Sequence, residues 1–389
     1  MDQPRTHVLF FLAQLGGGGA ESHVLRLANG LDPARFHVEV AAVRKGGSFE
    51  QKLAPGIRLT HMTDYPIASS TLGTLVPAVP RLRALLVERK PHVLCAALEH
   101  AAVAAMVAHA RLPTRLVLCV QNNPNRMYPS KVRPLDIGMR MAFRHLYHRA
   151  DAVVALSTGV AEALGHIDPR MSDRLRVIPN AALDDDVLLG AQTPAPRSGL
   201  KQGERLLVAC GRLTEQKGYP DLLRALVRVR ERQPARLWVL GEGPDRAALE
   251  RLRSHLGLDD AVDFMGFCAN PYALMAAADV FVLSSLWEGF GNVIVEAMAA
   301  GAPVVVTNCP YGPAEIIEPE TSGLLSPVGD PETLAQNILR VLEDDSLRSR
   351  LIRGGKERAK AFDARVVARA YGDVFASVAN CSPSPARWD

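Results

Sequence analysis

Glu288 and Glu296 stand eight positions apart in the segment EGFGNVIVEAMAAGAPVVVTN, residues 288–308. The preceding VFVLS (280–284) reads as a buried strand and 286–291 as a turn. Asn292 reads as the N-cap of a small-residue helix ended by Gly301, and 304–306 begins another buried strand. Backbone N–H groups after Gly289 and Gly291 would then sit at a helix start, which binds phosphate or sugar oxygens readily. Carboxylates flanking that mouth, with Glu296 expected on the first turn, suit sugar or ribose hydroxyls. Either acid alone reads as an ordinary dipole-complementing charge. Their combination around the glycines points to a ligand.

A second charged loop follows the strand RLLVACG. In GRLTEQKGYPDLLRA (211–225), Arg212 and Lys217 lie between strand and helix, and Pro220 stands near the helix start. The loop should emerge at the same sheet edge as 288–292, where two cations would bind a diphosphate and stabilise it as it leaves. Gly16 to Gly19 form a third loop, open to close ligand approach. The sixth position from Gly16 is Glu21 and from Gly17 is Ser22, so the dinucleotide fingerprint fails. Glu39 stands about where a ribose-binding acid would, but in mid-strand, a coincidence of spacing. The run Asp184-Asp185-Asp186 reads as hydrated linker. With no H-E-x-x-H and no clustered Cys/His, neither metal nor other cofactor is expected. Residues 131–149, KVRPLDIGMRMAFRHLYHR, form a basic amphipathic segment with Ile137, Met141 and Leu146 among its cations. It suits an anionic lipid surface or a surface helix whose apolar stripe enters the core.

The elements that position these loops alternate. HVLFFLAQL, FHVEVAAV, HVLCAAL, RLVLCV and AVVALS read as strands in the first half, with helices at 20–31, 75–89, 100–110 and 136–149. RLLVACG, RLWVLGEG, VDFMGF, VFVLSS and APVVVTN repeat the scheme, with helices at 220–231, 245–256, 271–277 and 292–300. Near-continuous apolar strands between helices imply parallel α/β sheets covered on both faces. The expected divisions are a first domain over 1–185, a linker over 186–203 and a second domain over 204–365. The remainder, 366–389, should be a helix packing back toward the first domain, with a frayed tail. At 389 residues, two domains are the natural reading. Residues 1–190 carry 22 Lys+Arg against 16 Asp+Glu, a balance of +6, which suits a phosphate-bearing partner but is too weak for nucleic acid. Six scattered cysteines without a C-x-x-C pair imply reduced thiols and a cytoplasmic setting. No secretory signal or spanning segment is expected, so membrane contact should be peripheral, at the inner face of the cytoplasmic membrane.

In order and spacing, six blocks together resemble the family 4 retaining glycosyltransferases. They are GGGGAESHVLRLANGL (16–31), ADAVVALSTGVAEAL (150–164), VIPNA (177–181), CGRLTEQKGYPDLLRA (210–225), VLGEGP (239–244) and the acid pair at 288 and 296. YGPAEII (311–317) and GLLSPVGDPETLA (323–335) are similar to the polysaccharide-assembling branch. The resemblance implies a GT-B fold, two doubly wound Rossmann-like domains facing across a cleft. It implies transfer of a hexose-type sugar from a nucleotide-diphosphate donor, UDP-linked, to a lipid-linked or growing glycan, without metal. Arg212 and Lys217 would hold the diphosphate and Glu296 the ribose. Glu288 and the backbone of Gly289, Phe290 and Gly291 would hold the sugar, and the amides near Asn292 and Val293 the distal phosphate. Gly211 and Gly241 join the donor set, Phe267 would lie beside the base, and Gly17 and Gly18 would close over the donor. Many relatives carry a His where this chain has Asn122, within Gln121-Asn122-Asn123, and His100 could substitute. That exchange leaves a rival reading open, a catalytically silent sibling that binds nucleotide sugar or glycan as a partner subunit.

Overall fold

A computed structural model describes residues 5–66, 71–122, 134–195 and 199–381. The expected frayed tail after 381, residues 131–133 of the basic segment and Asn123 lie outside the described residues. The chain divides into two units, the first made of Met1–Ala181 with Ala364–Asp389, the second of Ala182–Asp363.

In the first unit the strands are β1 (Thr6–Leu12), β2 (Phe36–Ala42), β3 (Arg58–His61), β4 (Val93–Ala97), β5 (Arg115–Val120), β6 (Ala152–Ala155) and β7 (Leu175–Val177). All are parallel, in the order β3-β2-β1-β4-β5-β6-β7. Helices α1 (Gly19–Gly30), α2 (Thr71–Arg89), α3 (Glu99–His109), α4 (Pro134–His145) and α5 (Thr158–Ile167) connect them. In the second unit β8 (Arg205–Cys210), β9 (Ala235–Leu240), β10 (Val262–Gly266), β11 (Val280–Leu283), β12 (Val304–Thr307) and β13 (Leu324–Ser326) are ordered β10-β9-β8-β11-β12-β13. Its helices are α6 (Asp185–Gln192), α7 (Tyr219–Arg230), α8 (Arg246–His255), α9 (Pro271–Ala276), α10 (Asn292–Ala300), α11 (Pro313–Ile316), α12 (Pro331–Glu343) and α13 (Asp345–Ala359). A final helix, α14 (Ala364–Asn380), belongs to the first unit. Strands such as β4, β6, β11 and β12 are buried at every position, which is why they read as unbroken apolar runs.

The stretch read as a linker over 186–203 is corrected in part. Residues 185–192 form α6, started by the Asp184 carboxylate, which accepts from the Val187 N–H at 3.1 Å. Asn270 of α9's cap donates to the Gly190 carbonyl at 3.0 Å, and a Cβ at Gly190 would meet the Asn270 side chain at 2.7 Å. The aspartates are thus a cap and a first turn, stabilised by the helix dipole. The units meet at 181/182 and 363/364, not at 185 and 365.

Helix α14 completes the first core. Tyr371 and Phe375 are fully buried, and the Phe375 ring meets Phe10 of β1 edge-on at 5.9 Å. His23 of α1 joins this core. Its Nδ1 accepts from the Ala181 N–H at 2.9 Å, and its Nε2 lies 3.3 Å from the Tyr371 hydroxyl. Burial, then the charge of Arg26, lowers its pKa from 6.5 to about 3. The native state therefore refuses a proton that the unfolded chain accepts, so stability present above pH 6.5 is lost as the pH falls toward 3. Thermal midpoints across that window should fall more steeply for the wild type than for His23→Gln, and equal slopes would exclude His23 as the cause.

Candidate functional site

Strands β8 and β11 are neighbours from which the chain winds outward in opposite directions, β8 toward β9 and β10, β11 toward β12 and β13. The loops leaving their carboxyl ends diverge there, at the place where open parallel sheets bind ligands. One loop carries Arg212 and Lys217, the other Ser284 to Gly291. Gly218 lets them touch. It sits at φ 59°, and a Cβ there would stand 2.1 Å from the Ser284 carbonyl oxygen. Across this seam Ser284 Oγ donates to the Lys217 carbonyl at 2.8 Å, and the Leu286 N–H to the Gln216 carbonyl at 2.8 Å.

The seam aims Lys217 at Glu288. Nζ lies 2.6 Å from Glu288 Oε1, and Ser285 Oγ donates to the same oxygen at 2.6 Å. The two charged side chains are only 14% and 8% exposed. The Glu288 backbone is fixed from the other side, donating to the Pro310 carbonyl at 2.8 Å and accepting from the Tyr311 N–H at 3.1 Å. Glu296 is buried on the second turn of α10, not the first. The cap is Gly291 at φ 104°, not Asn292, and it offers no side-chain hydrogen bond. A turn that must enter the helix from the left-handed region selects glycine over asparagine.

Electrostatics place both acids in one environment. Burial, then the Glu296 charge, pushes the Cys210 thiol up to about 12, with Lys217 opposing. Burial and Glu288 do the same to Cys309, again to about 12. Burial, Cys210 and Glu288 raise the Tyr219 phenol, which donates to the Gly211 carbonyl at 3.0 Å. Burial thus keeps both thiols and the phenol neutral beside Lys217, Glu288 and Glu296.

The other predicted positions in this unit fall around it. Arg212 is exposed beyond the end of β8, and Phe267 is 72% exposed beyond the end of β10. A Cβ on Gly241, at φ 130°, would stand 2.2 Å from the Gly211 carbonyl oxygen, so this crossing needs glycine. Gly289 and Phe290 are buried, the Phe290 ring edge-on to Phe362 at 5.4 Å. Asn292 and Val293 open α10, half-buried. Sequence reasoning passed over Ser285 and Cys210, the first a plain serine at a strand end and the second hidden in an apolar run.

In the first unit Gly17 and Gly18 are exposed between β1 and α1. Beyond β5, Asn122 Nδ2 lies 3.3 and 3.4 Å from the two oxygens of Glu99, which follows β4. Burial raises the Glu99 carboxyl, while hydrogen bonds from Asn122 and the backbone of Gln121 pull it back. Glu99 was not predicted. It fixes the Asn122 amide, so the carbonyl oxygen is the end offered to a hydroxyl. His100 is half-buried in the first turn of α3.

On α4, Phe143 is fully buried, with its ring 4.3 Å from Tyr147, whereas Ile137 and Met141 are 56% and 52% exposed. Ile137 and Met141 therefore stay outside the core, and Leu146 is half-buried. Among the described residues no helix is long and apolar enough to cross a membrane.

Comparison with known proteins gives two family models, "Glycosyl transferases group 1" over residues 192–358 and "Glycosyltransferase Family 4" over 17–182. The lipopolysaccharide core biosynthesis glycosyltransferase LpsE of Rhizobium meliloti is 29% identical over 370 residues, 92% of this chain and 96% of that protein. An N-acetylgalactosaminyltransferase of Campylobacter jejuni acting on a diphospho-undecaprenol-linked saccharide is 31% identical over 256 residues, 66% and 68% of the two chains. In fold, HepE of Anabaena, solved with UDP and glucose, superposes with a TM-score of 0.79 at 24% identity, covering 95% of this chain and 99% of that one.

Two substitutions test the seam by urea unfolding. Gly218→Ala should lose roughly 2–4 kcal/mol through left-handed strain and contact with Ser284. Ser285→Ala should lose about 1.5–3 kcal/mol with the charge-assisted hydrogen bond to Glu288. Losses within about 0.5 kcal/mol, as for ordinary surface changes, would contradict the seam.

Proposed function

The chain belongs to the family 4 glycosyltransferases, and from that premise we propose that it transfers a hexose-type sugar, with retention, from a UDP-sugar to a lipid-linked or growing glycan. The observation that carries this reading is the Lys217–Glu288 pair held at 2.6 Å beside the start of α10. A lysine so held presents fixed positive charge to a diphosphate. Arg212, on the same loop, adds a bidentate donor. Glu296 takes the ribose hydroxyls. Glu288 and the backbone of Gly289 to Gly291 take the sugar, and the first amides of α10 the distal phosphate. Gly211 and Gly241 permit backbone approach, and Phe267 offers its exposed ring to the base. The part of LpsE in lipopolysaccharide core biosynthesis and the diphospho-undecaprenol-linked substrate named for the Campylobacter enzyme support a glycan or lipid-linked acceptor, and the HepE complex supports UDP.

The acceptor hydroxyl attacks the anomeric carbon on the face the diphosphate leaves. Its proton passes to the departing phosphate oxygen as the new C–O bond forms and the old one breaks. No protein base is required, so positioning and charge do the catalysis. Asn122, set by Glu99, and His100 serve the acceptor side as hydrogen-bonding groups. No metal enters the transfer. Contact with an anionic membrane at the cytoplasmic face runs through α4, whose exposed Ile137 and Met141 lie one turn apart beside exposed Arg144.

UDP release from UDP-glucose with a polyprenyl-diphosphate glycan acceptor tests the chemistry. Arg212→Ala/Glu288→Ala should lose at least ~10²-fold in kcat, the scale of one lost transition-state donor. Unchanged turnover would refute the assignment, and an inverted anomeric product would refute retention. Activity should persist in EDTA; loss restored by Mg2+ or Mn2+ would overturn metal independence. Co-sedimentation with anionic vesicles should fall for Ile137→Ser/Met141→Ser, and equal binding would remove α4 from the contact.

A further inference from the structure

Away from these loops, parallel pairing assembles a cluster that no linear spacing announces. His7 of β1 stands opposite His37 of β2, and Glu39 follows two residues later on the same face. Alternate residues Val8, Phe10, Val38 and Val40 face the core shared with α14, so His7, His37 and Glu39 project from the other face. His7 Nε2 lies 3.5 Å from Glu39 Oε1, and His37 Nε2 lies 3.4 Å from the same oxygen. The imidazole rings are 4.7 Å apart, and one ligand atom from each residue falls within 4.8 Å of the other two.

Burial makes this arrangement costly as it stands. The Glu39 side chain is 5% exposed and that of His7 14%, while His37 is 44% exposed. Among the described residues neither Glu39 Oε2 nor His7 Nε2 has a hydrogen-bond partner, and both are buried. Buried polar atoms are rarely left so, and two within one cluster call for an occupant. We propose that His7, His37 and Glu39 bind a divalent cation of the zinc class.

The distances fit. Ligands at Zn–N and Zn–O lengths of about 2.0–2.2 Å in tetrahedral array stand ~3.3–3.5 Å from one another. Two imidazoles and one carboxylate are a borderline donor set that selects zinc over magnesium or calcium. The fourth position opens on the exposed His37 side, to water. His92 keeps to another task, its Nδ1 accepting from the His7 backbone N–H at 2.8 Å. The cluster lies at the amino-terminal edge of the sheet, since His7 and His37 are each the second residue of their strand. The loops with Gly17, Gly18 and Asn122 leave the carboxyl edge, so the cation is a clip between β1 and β2, independent of sugar transfer.

The test is a Co2+ titration of metal-free, tag-free protein. The ligand-field absorption of four-coordinate cobalt should saturate at one ion per chain and vanish when Zn2+ displaces it. His37→Ala, which removes the most exposed of the three ligands, should weaken binding by at least ~100-fold, since even supporting groups are worth 10–100-fold. Glu39→Gln should do likewise. His61→Ala, removing another histidine beside a carboxylate, Glu50 at 3.2 Å, should change nothing. Zn2+ should raise the thermal midpoint of the wild type and not that of His37→Ala. An absent cobalt spectrum, or equal binding by wild type and His37→Ala, would overturn the proposal.

Discussion

The contact between Lys217 and Glu288 sets the terms for everything around it in the second unit. Removing two charges from water is expensive, and their attraction repays the cost only with tight geometry and further hydrogen bonds. The structure supplies both. Ser285 binds the shared oxygen, the Glu288 backbone is tied to Pro310 and Tyr311, and Gly218 permits an approach that any side chain would block. Evicting either partner alone would strand a charge beside Cys210, Cys309 and Tyr219, groups already held neutral by burial. A fold seeking stability alone would put apolar side chains there.

Much of this was legible in the sequence because parallel sheets buried on both faces write themselves as unbroken apolar runs. Ten of the strands are readable from such runs, β2 and β10 in spite of the polar residues within them. The three that do not are short or open: β3 (RLTH) has two exposed and two half-buried residues, while β7 (LRV) and β13 (LLS) span three residues each. Helix α6 hid because three aspartates look like linker until one of them caps Val187. Glu288, Lys217 and Glu296 were readable from spacing, since loops after neighbouring strands share an edge. The N-cap was misplaced by one residue because Asn is the commoner cap and only the backbone reveals that Gly291 must turn left-handed. Ser285, Glu99 and the cluster of His7, His37 and Glu39 were not readable at all. Their meaning lies in partners that only strand pairing or loop contact supplies.

The first sheet separates its tasks along the strand direction. Its carboxyl edge carries short polar side chains on glycine-rich or helix-leading turns, with Glu99 gripping Asn122. Its amino edge carries imidazoles and a carboxylate on the strands themselves. Residues on strands are held more rigidly than residues on loops, which suits a clip at one end and adaptable recognition at the other.

The path of the chain has a consequence for synthesis on the ribosome. Residues 182–363 interrupt the first unit, whose core is finished only by Tyr371 and Phe375 of the last helix. The second unit can therefore mature as it emerges, while the earlier-made half waits with an apolar face uncovered through about the second half of translation. A stop codon that removed the closing helix would spare the later-made unit and leave the earlier one as the aggregation-prone partner.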